Sequence, residues 1–305
     1  METRLLNACA TMLPVLLVAT TAFGQPPTEL PSLAANKARV LEFFATRADR
    51  TGFVARDFVD HNPRPGGLVR LLSEAARPVP LTGRTLELIV AEGDLVGVVW
   101  KRARPDPDEP STYDAFTFDV FRFRAGLIVE HWDNATKTPS VPCDEIECRE
   151  LLVKAPVPAV RPAAPDRLAA NKKVAIDNFQ FQGSREDRAR IFLAEDYVQH
   201  NPRFLKMDRI TDARGREAWL RAAAAAQGRP LVNLDGISLR DLPVIVMAEG
   251  DLVLLVYKGV LPDPDAPETT YEAFAFEAYR VRDGLLAEHW DQVTLTPGWT
   301  NPVRK

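Results

Sequence analysis

Histidine, cysteine, net charge and long apolar runs are all scarce in this chain, and each shortage removes a class of function. Its 38 basic and 42 acidic side chains leave a formal net charge of -4. That balance supplies no basic patch for nucleic acid and no polybasic segment for an anionic membrane. One apolar stretch, Met12 to Ala19, follows Arg4 and precedes Ala22-Phe23-Gly24. It is too short to span a bilayer and has the layout of a secretory signal over residues 1–24. Glu2 weakens the positive end, so an uncleaved interfacial anchor is the alternative. With the signal removed, Cys143 and Cys148 are the remaining cysteines. A metal site there would need two further ligands, and none lies nearby. In a periplasmic or secreted protein the pair reads as a disulfide clip.

What remains is a chain of 305 residues, 46% hydrophobic and 26% charged, the composition of a soluble globular protein with room for two domains. The 4 histidines fall into two matched pairs. His61 lies in Phe58-Val59-Asp60-His61-Asn62-Pro63 and His200 in Tyr197-Val198-Gln199-His200-Asn201-Pro202; His131 and His289 each lie in Glu-His-Trp-Asp, ending at Asp133 and Asp291. Other segments recur in the same order. Leu33-Ala34-Ala35-Asn36-Lys37 returns as Leu168 to Lys172, Ala91-Glu92-Gly93-Asp94 as Ala248 to Asp251, and Pro105-Asp106-Pro107-Asp108 as Pro262 to Asp265. The chain is a tandem duplication.

The expected organisation is a signal over 1–24, a first domain over 33–142, a Cys-containing and proline-rich linker over 143–165, and a second domain over 166–299. Pro156, Pro158, Pro162 and Pro165 favour an extended spacer of roughly 3 Å per residue. Each repeat opens with helical spacing (Val40, Leu41 and Phe44; Val174, Ile176 and Phe179). A second short helix is expected before each His-Asn-Pro, and a third at Leu68–Ala76 and Glu217–Ala226. The second half of each repeat turns to strands. In repeat one these are Leu86–Val90, Val96–Arg102, Tyr113–Arg124 and Leu127–Asp133; Asp283-Gly284 is a hairpin signal in repeat two. Helices followed by an antiparallel meander give an α+β fold.

The Tyr-x-Gln-His-Asn-Pro, Ala-Glu-Gly-Asp-x-Val and Gly-x-x-x-Glu-His-Trp-Asp motifs resemble those of the SnoaL-like polyketide cyclase family. That family lies within the nuclear-transport-factor-two-like, or ketosteroid-isomerase-like, superfamily. The resemblance covers both repeats and implies two tandem cone-shaped α+β barrels, each a curved antiparallel sheet wrapped over N-terminal helices. It also implies pairing of the repeats through their sheets as an intrachain pseudo-dimer, and cofactor-free acid/base chemistry in an apolar cone. Repeat one departs from the motif at Phe58 and Asp60; Tyr197 and Gln199 keep repeat two closer.

Alternation along a strand puts His131 with Asp133, and His289 with Asp291, on one face. A two-residue turn then sets His131 opposite Val120 and Asp133 opposite Phe118, with Ala278 and Phe276 as counterparts. Asp119 and Glu277 fall on the other face in this register, and Trp132 and Trp290 point toward a sheet or domain interface. The Pro-Asp-Pro-Asp stretches read as exposed loops at the cone mouth. A carboxylate beside an imidazole on an apolar wall has a perturbed pKa suited to proton transfer. The candidate catalytic residues are Asp133, His131, His61, Asp291, His289 and His200. Asn62, Phe118, Asn201 and Phe276 are the candidate substrate contacts, with His61 and His200 approaching from the helical side. His-Asn-Pro also fits a plain turn and Trp-Asp a strand-end cap. Two histidines and one aspartate per repeat would fit a divalent metal, but nothing in the spacing demands one. The expectation is an exported protein with no metal or cofactor that binds a small molecule. It either catalyses an aldol-type, cyclase or isomerase reaction on a partly apolar carbonyl compound or binds its ligand without turnover.

Overall fold

The structure, a computed structural model, describes residues 32–297 apart from 47–48, 65–66, 69–71, 73–83, 138–160, 162, 208–213 and 227–235. The expected signal, the Cys143–Cys148 disulfide, most of the linker and most of the Leu68–Ala76 helix lie outside the described residues.

Repeat one begins with α1 (Leu33–Ala45). Ser32 caps it by accepting from the Ala35 N–H at 3.2 Å, and Val40, Phe43 and Phe44 are buried along one face. A 3-10 turn at Thr51–Phe53 leads into β1 (Val54–Asp60), followed by β2 (Arg84–Glu92), β3 (Leu95–Pro105), β4 (Thr112–Arg124) and β5 (Leu127–Asp133). Repeat two has α2 (Pro165–Gln180), α3 (Arg185–Phe192), β6 (Leu193–Gln199), α4 (Pro202–Met207), α5 (Arg216–Ala225), β7 (Ile245–Glu249), β8 (Leu252–Pro262), β9 (Thr270–Arg282) and β10 (Leu285–Asp291). The sheet orders are β1-β5-β4-β3-β2 and β6-β10-β9-β8-β7. Two α+β repeats with matching five-stranded sheets are the fold.

Three expectations need correction. The sheets are mixed, because β1 runs parallel to β5 and β6 parallel to β10. What precedes each His-Asn-Pro is a strand; the spacing of four from Val54 to Phe58 and from Leu193 to Tyr197 fits either period, and pairing with β5 and β10 decides it. In repeat two the short helix exists but lies one element earlier, as α3. Register is the third. Phe123 pairs with Ile128 but Arg122 pairs with Glu130, so Val129 is an extra residue, a β-bulge; Ala287 is its equivalent in repeat two. The bulge slips the pairing by one place. His131 sits opposite Phe121 and Asp133 opposite Asp119; His289 sits opposite Tyr279 and Asp291 opposite Glu277.

The two sheets pack against each other through one face each, burying Trp132, Trp290, Val99, Met247, Val256 and Phe274 among others. Phe118 stacks on Phe276 at 5.6 Å between centroids. Fully burying each such side chain is worth about 1.5–3 kcal/mol. Gly97 and Leu254 hold equivalent places in the repeats and meet here: a Cβ on Gly97 would stand 2.8 Å from Leu254 Cδ1. Leu254→Ala should cost about 2–5 kcal/mol, because Gly97 has no side chain with which to fill the hole. Urea denaturation reads this, and a loss under about 1 kcal/mol would mean that the interface collapses to close the gap.

Two repeat motifs find their use at this junction. Lys37 of α1 pairs with Glu249, which also accepts from the Ala91 N–H at 2.7 Å. Reciprocally, Lys172 of α2 donates to Glu92 at 2.5 Å, and Glu92 accepts from the Ala248 N–H at 2.8 Å. The Asn-Lys and Glu-Gly segments of one repeat thus grip those of the other. Asp106 and Asp263, expected in exposed loops, are buried instead; Lys206 and Lys137 of the opposite repeat reach them.

Candidate functional site

The bulge gathers a carboxylate that simple alternation would send away. In repeat one, His131 is 1% exposed on the concave, helix-facing side of the sheet and stacks on Phe121. Its Nδ1 donates to Asp60 Oδ1 at 2.9 Å and its Nε2 donates to Asp119 Oδ1 at 3.0 Å. Ionised carboxylates only accept, so two such partners require an imidazolium. Burial opposes the charge, but the hydrogen bonds to Asp119 and Asp60 and the nearby Asp133 charge outweigh it and push His131 up to about 10. Asp133 accepts from Asn62 Nδ2 at 2.5 Å, and burial raises its pKa against the pull of His131.

Repeat two repeats the geometry with different chemistry. Gln199 replaces Asp60; its Oε1 accepts from the Asn201 N–H at 3.0 Å, so its Nε2 donates to His289 Nδ1 at 3.0 Å. The remaining ring hydrogen is on Nε2, facing Glu277, and His289 is neutral. Burial drives His289 down to about 4 despite the Asp291 charge. Burial likewise raises Glu277 well above the ordinary carboxylate range and Asp291 to about 6. Asp291 accepts from Asn201 Nδ2 at 2.8 Å and from the Val293 N–H at 3.0 Å. Ligand atoms of Asp119, His131 and Asp133, and of Glu277, His289 and Asp291, lie within 4.8 Å of one another in each set, but the protonated His131 has no ring lone pair to give a cation.

The two histidines of each repeat do not meet. His61 Nε2 bonds Glu130 at 2.8 Å and its ring stacks on Trp132, on the face turned toward the other sheet; His200 does the same with Glu288 and Trp290. Each also touches a phenylalanine of the opposite repeat, Phe274 for His61 and Phe116 for His200. The cause is alternation: Asp60 pairs with His131 across β1 and β5, which puts the next residue, His61, on the reverse face. This removes the two-histidine metal set. Phe118 and Phe276, expected as substrate contacts, are on that reverse face too, because the bulge shifts them. Asn62 and Asn201 are the residues that link the His-Asn-Pro and Trp-Asp motifs. His61→Phe should therefore leave any chemistry on the concave face within about twofold of wild type, since the hydrogen bond it removes, to Glu130, lies on the opposite face of the sheet. A steady-state assay of that variant checks it.

Asp60 and Gln199 had no expected role, and Asp119 and Glu277 were expected on the opposite face. A signal for the last two was available: each is the one carboxylate within an aromatic stretch, Phe116 to Phe121 or Phe274 to Tyr279, at the same place in both repeats. An open groove lined by Ile237, Ser238, Asp241, Val244, Lys258 and Val260 contains none of these groups.

No family model and no curated protein matches the chain. Solved structures do. A protein assigned as a SnoaL-like polyketide cyclase from Jannaschia sp. CCS1 is 15% identical, with a TM-score of 0.28, over 43% of this chain and 89% of its own. An NTF2-like protein of unknown function from Burkholderia pseudomallei is 10% identical, with a TM-score of 0.28, over 41% of this chain and 91% of its own. A protein assigned as a polyketide cyclase from Xanthomonas campestris pv. campestris is 20% identical, with a TM-score of 0.27, over 42% of this chain and 92% of its own. Each of these matches spans less than half of this chain and about nine tenths of the other.

Proposed function

We propose that the second repeat carries out cofactor-independent proton transfer on a small, partly apolar carbonyl compound, in a reaction of the aldol, cyclase or isomerase type. The observation that supports this most is the neutral His289–Glu277 pair beside Asp291, whose pKa burial raises to about 6. A base serves best when its pKa lies near the working pH. Asp291 takes a proton from the carbon next to the carbonyl, while His289, with both ring nitrogens engaged by Gln199 and Glu277, keeps a neutral wall beside it. Repeat one is the poorer candidate: His131, clamped between Asp60 and Asp119, keeps its proton throughout the neutral range.

Solvent exchange tests the reading without knowledge of the natural substrate. Small ketones, keto acids and aldehydes incubated with the protein in D2O should lose α C–H signal faster than in buffer alone. The rate should rise with pH through about 6 and then level off. Full burial of the cluster favours a second reading, a binding module without turnover; ligand binding with no catalysed exchange for any compound would select it.

A further inference from the structure

Two polar groups of the second repeat's concave face are left unspent by the chemistry above. Tyr257 on β8 is 1% exposed, and its hydroxyl has no hydrogen-bond partner. Arg188 on α3 is half-buried, its Nε is buried without a partner, and its guanidinium lies 5.4 Å from the Trp219 ring without pairing to any described carboxylate. Both belong to the wall around His289. Phe179 packs edge-on against both Tyr257 and Tyr279, Tyr279 stacks on His289, and Arg188 is close enough for its charge to act on Glu277, Tyr197 and Tyr279. A phenol that donates to nothing is costly to bury, and the Arg188 Nε adds a second buried donor, so a native site has something for them to meet.

Repeat one sets the contrast. Tyr257 takes the place of Trp100, whose indole N–H is satisfied by Asp119 at 2.8 Å. Arg188 stands on a helix where the described residues of repeat one have only the 3-10 turn at Thr51–Phe53. The unspent hydroxyl is therefore peculiar to the repeat with the neutral dyad. Beside Tyr257 the neighbouring strand offers small side chains, Ala273 and Ala275. One fixed positive charge with a second donor matches a single negative charge on a flat pair of oxygens, since a guanidinium forks onto a carboxylate. A doubly charged group would stay half-neutralised in this apolar wall.

We propose that Arg188 and Tyr257 form a binding subsite for the carboxylate of a small organic acid in the second repeat. This deepens the acid/base reading by making its substrate a keto acid, and it rests on that reading only for turnover. When such an acid binds, Asp291 takes the α-proton. The C–H electron pair passes into the enolate, and return of the proton to the same or another carbon balances the step with no oxidant or reductant.

The test titrates the full chain with 2-oxobutyrate and with its neutral methyl ester, followed by ligand-observed NMR. The acid should bind saturably and about tenfold or more tighter than the ester, one charge-assisted pair's worth of discrimination. Arg188→Met should erase that preference, Arg188→Lys should keep part of it, and Tyr257→Phe should weaken the acid without affecting the ester. Equal binding of acid and ester, no saturable binding of the acid, or an unchanged preference in folded Arg188→Met would overturn the subsite. If Arg188→Met does not fold, the acid–ester comparison and Tyr257→Phe decide. Acid bound without catalysed exchange keeps the subsite and sinks the proton-transfer reading. Exchange as fast in the ester as in the acid does the reverse.

Discussion

Asp291→Asn is expected to slow α-proton exchange by about 10²- to 10⁴-fold, the range general-base removal produces, while the protein stays folded. Both oxygens of Asp291 are held, by Asn201 and by the Val293 N–H, so the change removes basicity and retains shape at the loss of one of the two hydrogen bonds. Burial already works against the Asp291 charge, so a neutral amide sheds a penalty that offsets part of that loss. The pH profile carries the sharper signature. Wild-type exchange should fall about tenfold per unit below pH 6, and the residual activity of the variant should lose that dependence. Asp133→Asn in repeat one should leave the rate near wild type. If Asp133→Asn slows exchange as much as Asp291→Asn, the assignment to the second repeat is wrong.

Asp119→Ala should be the most destabilising single change in the first repeat, at about 3–5 kcal/mol. It strips one carboxylate from a buried imidazolium and leaves that charge half-compensated. The same pair makes stability fall with alkali. Folding raises His131 from 6.5 to about 10, so the native state holds this proton more tightly than the unfolded chain. The contribution is complete below pH 6.5 and is lost as pH rises from 6.5 through 10. Urea melts at pH 6, 8 and 9.5 should show the decline, and His131→Gln should flatten it. In repeat two burial raises Glu277 well above 4.5, so its neutral form stabilises the fold and that contribution is lost as pH rises. His289, lowered to about 4, loses stability as pH falls from 6.5 toward 4, whereas Asp291, raised to about 6, gains it over much of that span. The two largely cancel.

Much of this was legible in the letters of the chain. The duplication, the α+β order, every strand of the first meander and the seating of Trp132 and Trp290 between the sheets follow from repeats, period and turn residues. The register did not follow. Val129 and Ala287 have ordinary strand side chains, and a bulge depends on how the twisted sheet accommodates its neighbour strands, which period-two reading ignores. That single extra residue exchanged Phe118 and Phe276 for Asp119 and Glu277 on the working face. The separation of the histidines was hidden differently. Once β1 is recognised as a strand that runs through Asp60, alternation sends His61 to the back; the helical expectation before His-Asn-Pro concealed it. Protonation was the least legible, because it turns on Asp60 against Gln199, a difference that looks conservative until both flank a buried ring.

The glycine and leucine that meet between the sheets bear on how such a protein can evolve. Where identical chains pair about a twofold axis, a position on the axis faces itself, so large meets large or small meets small. Here Gly97 faces Leu254. Two copies of the first repeat would leave a void between them, and two copies of the second would collide. Joining the halves in one chain let one side grow as the other shrank, until each fits only its unlike sibling. The same freedom let one cluster hold a trapped charge while the other became neutral.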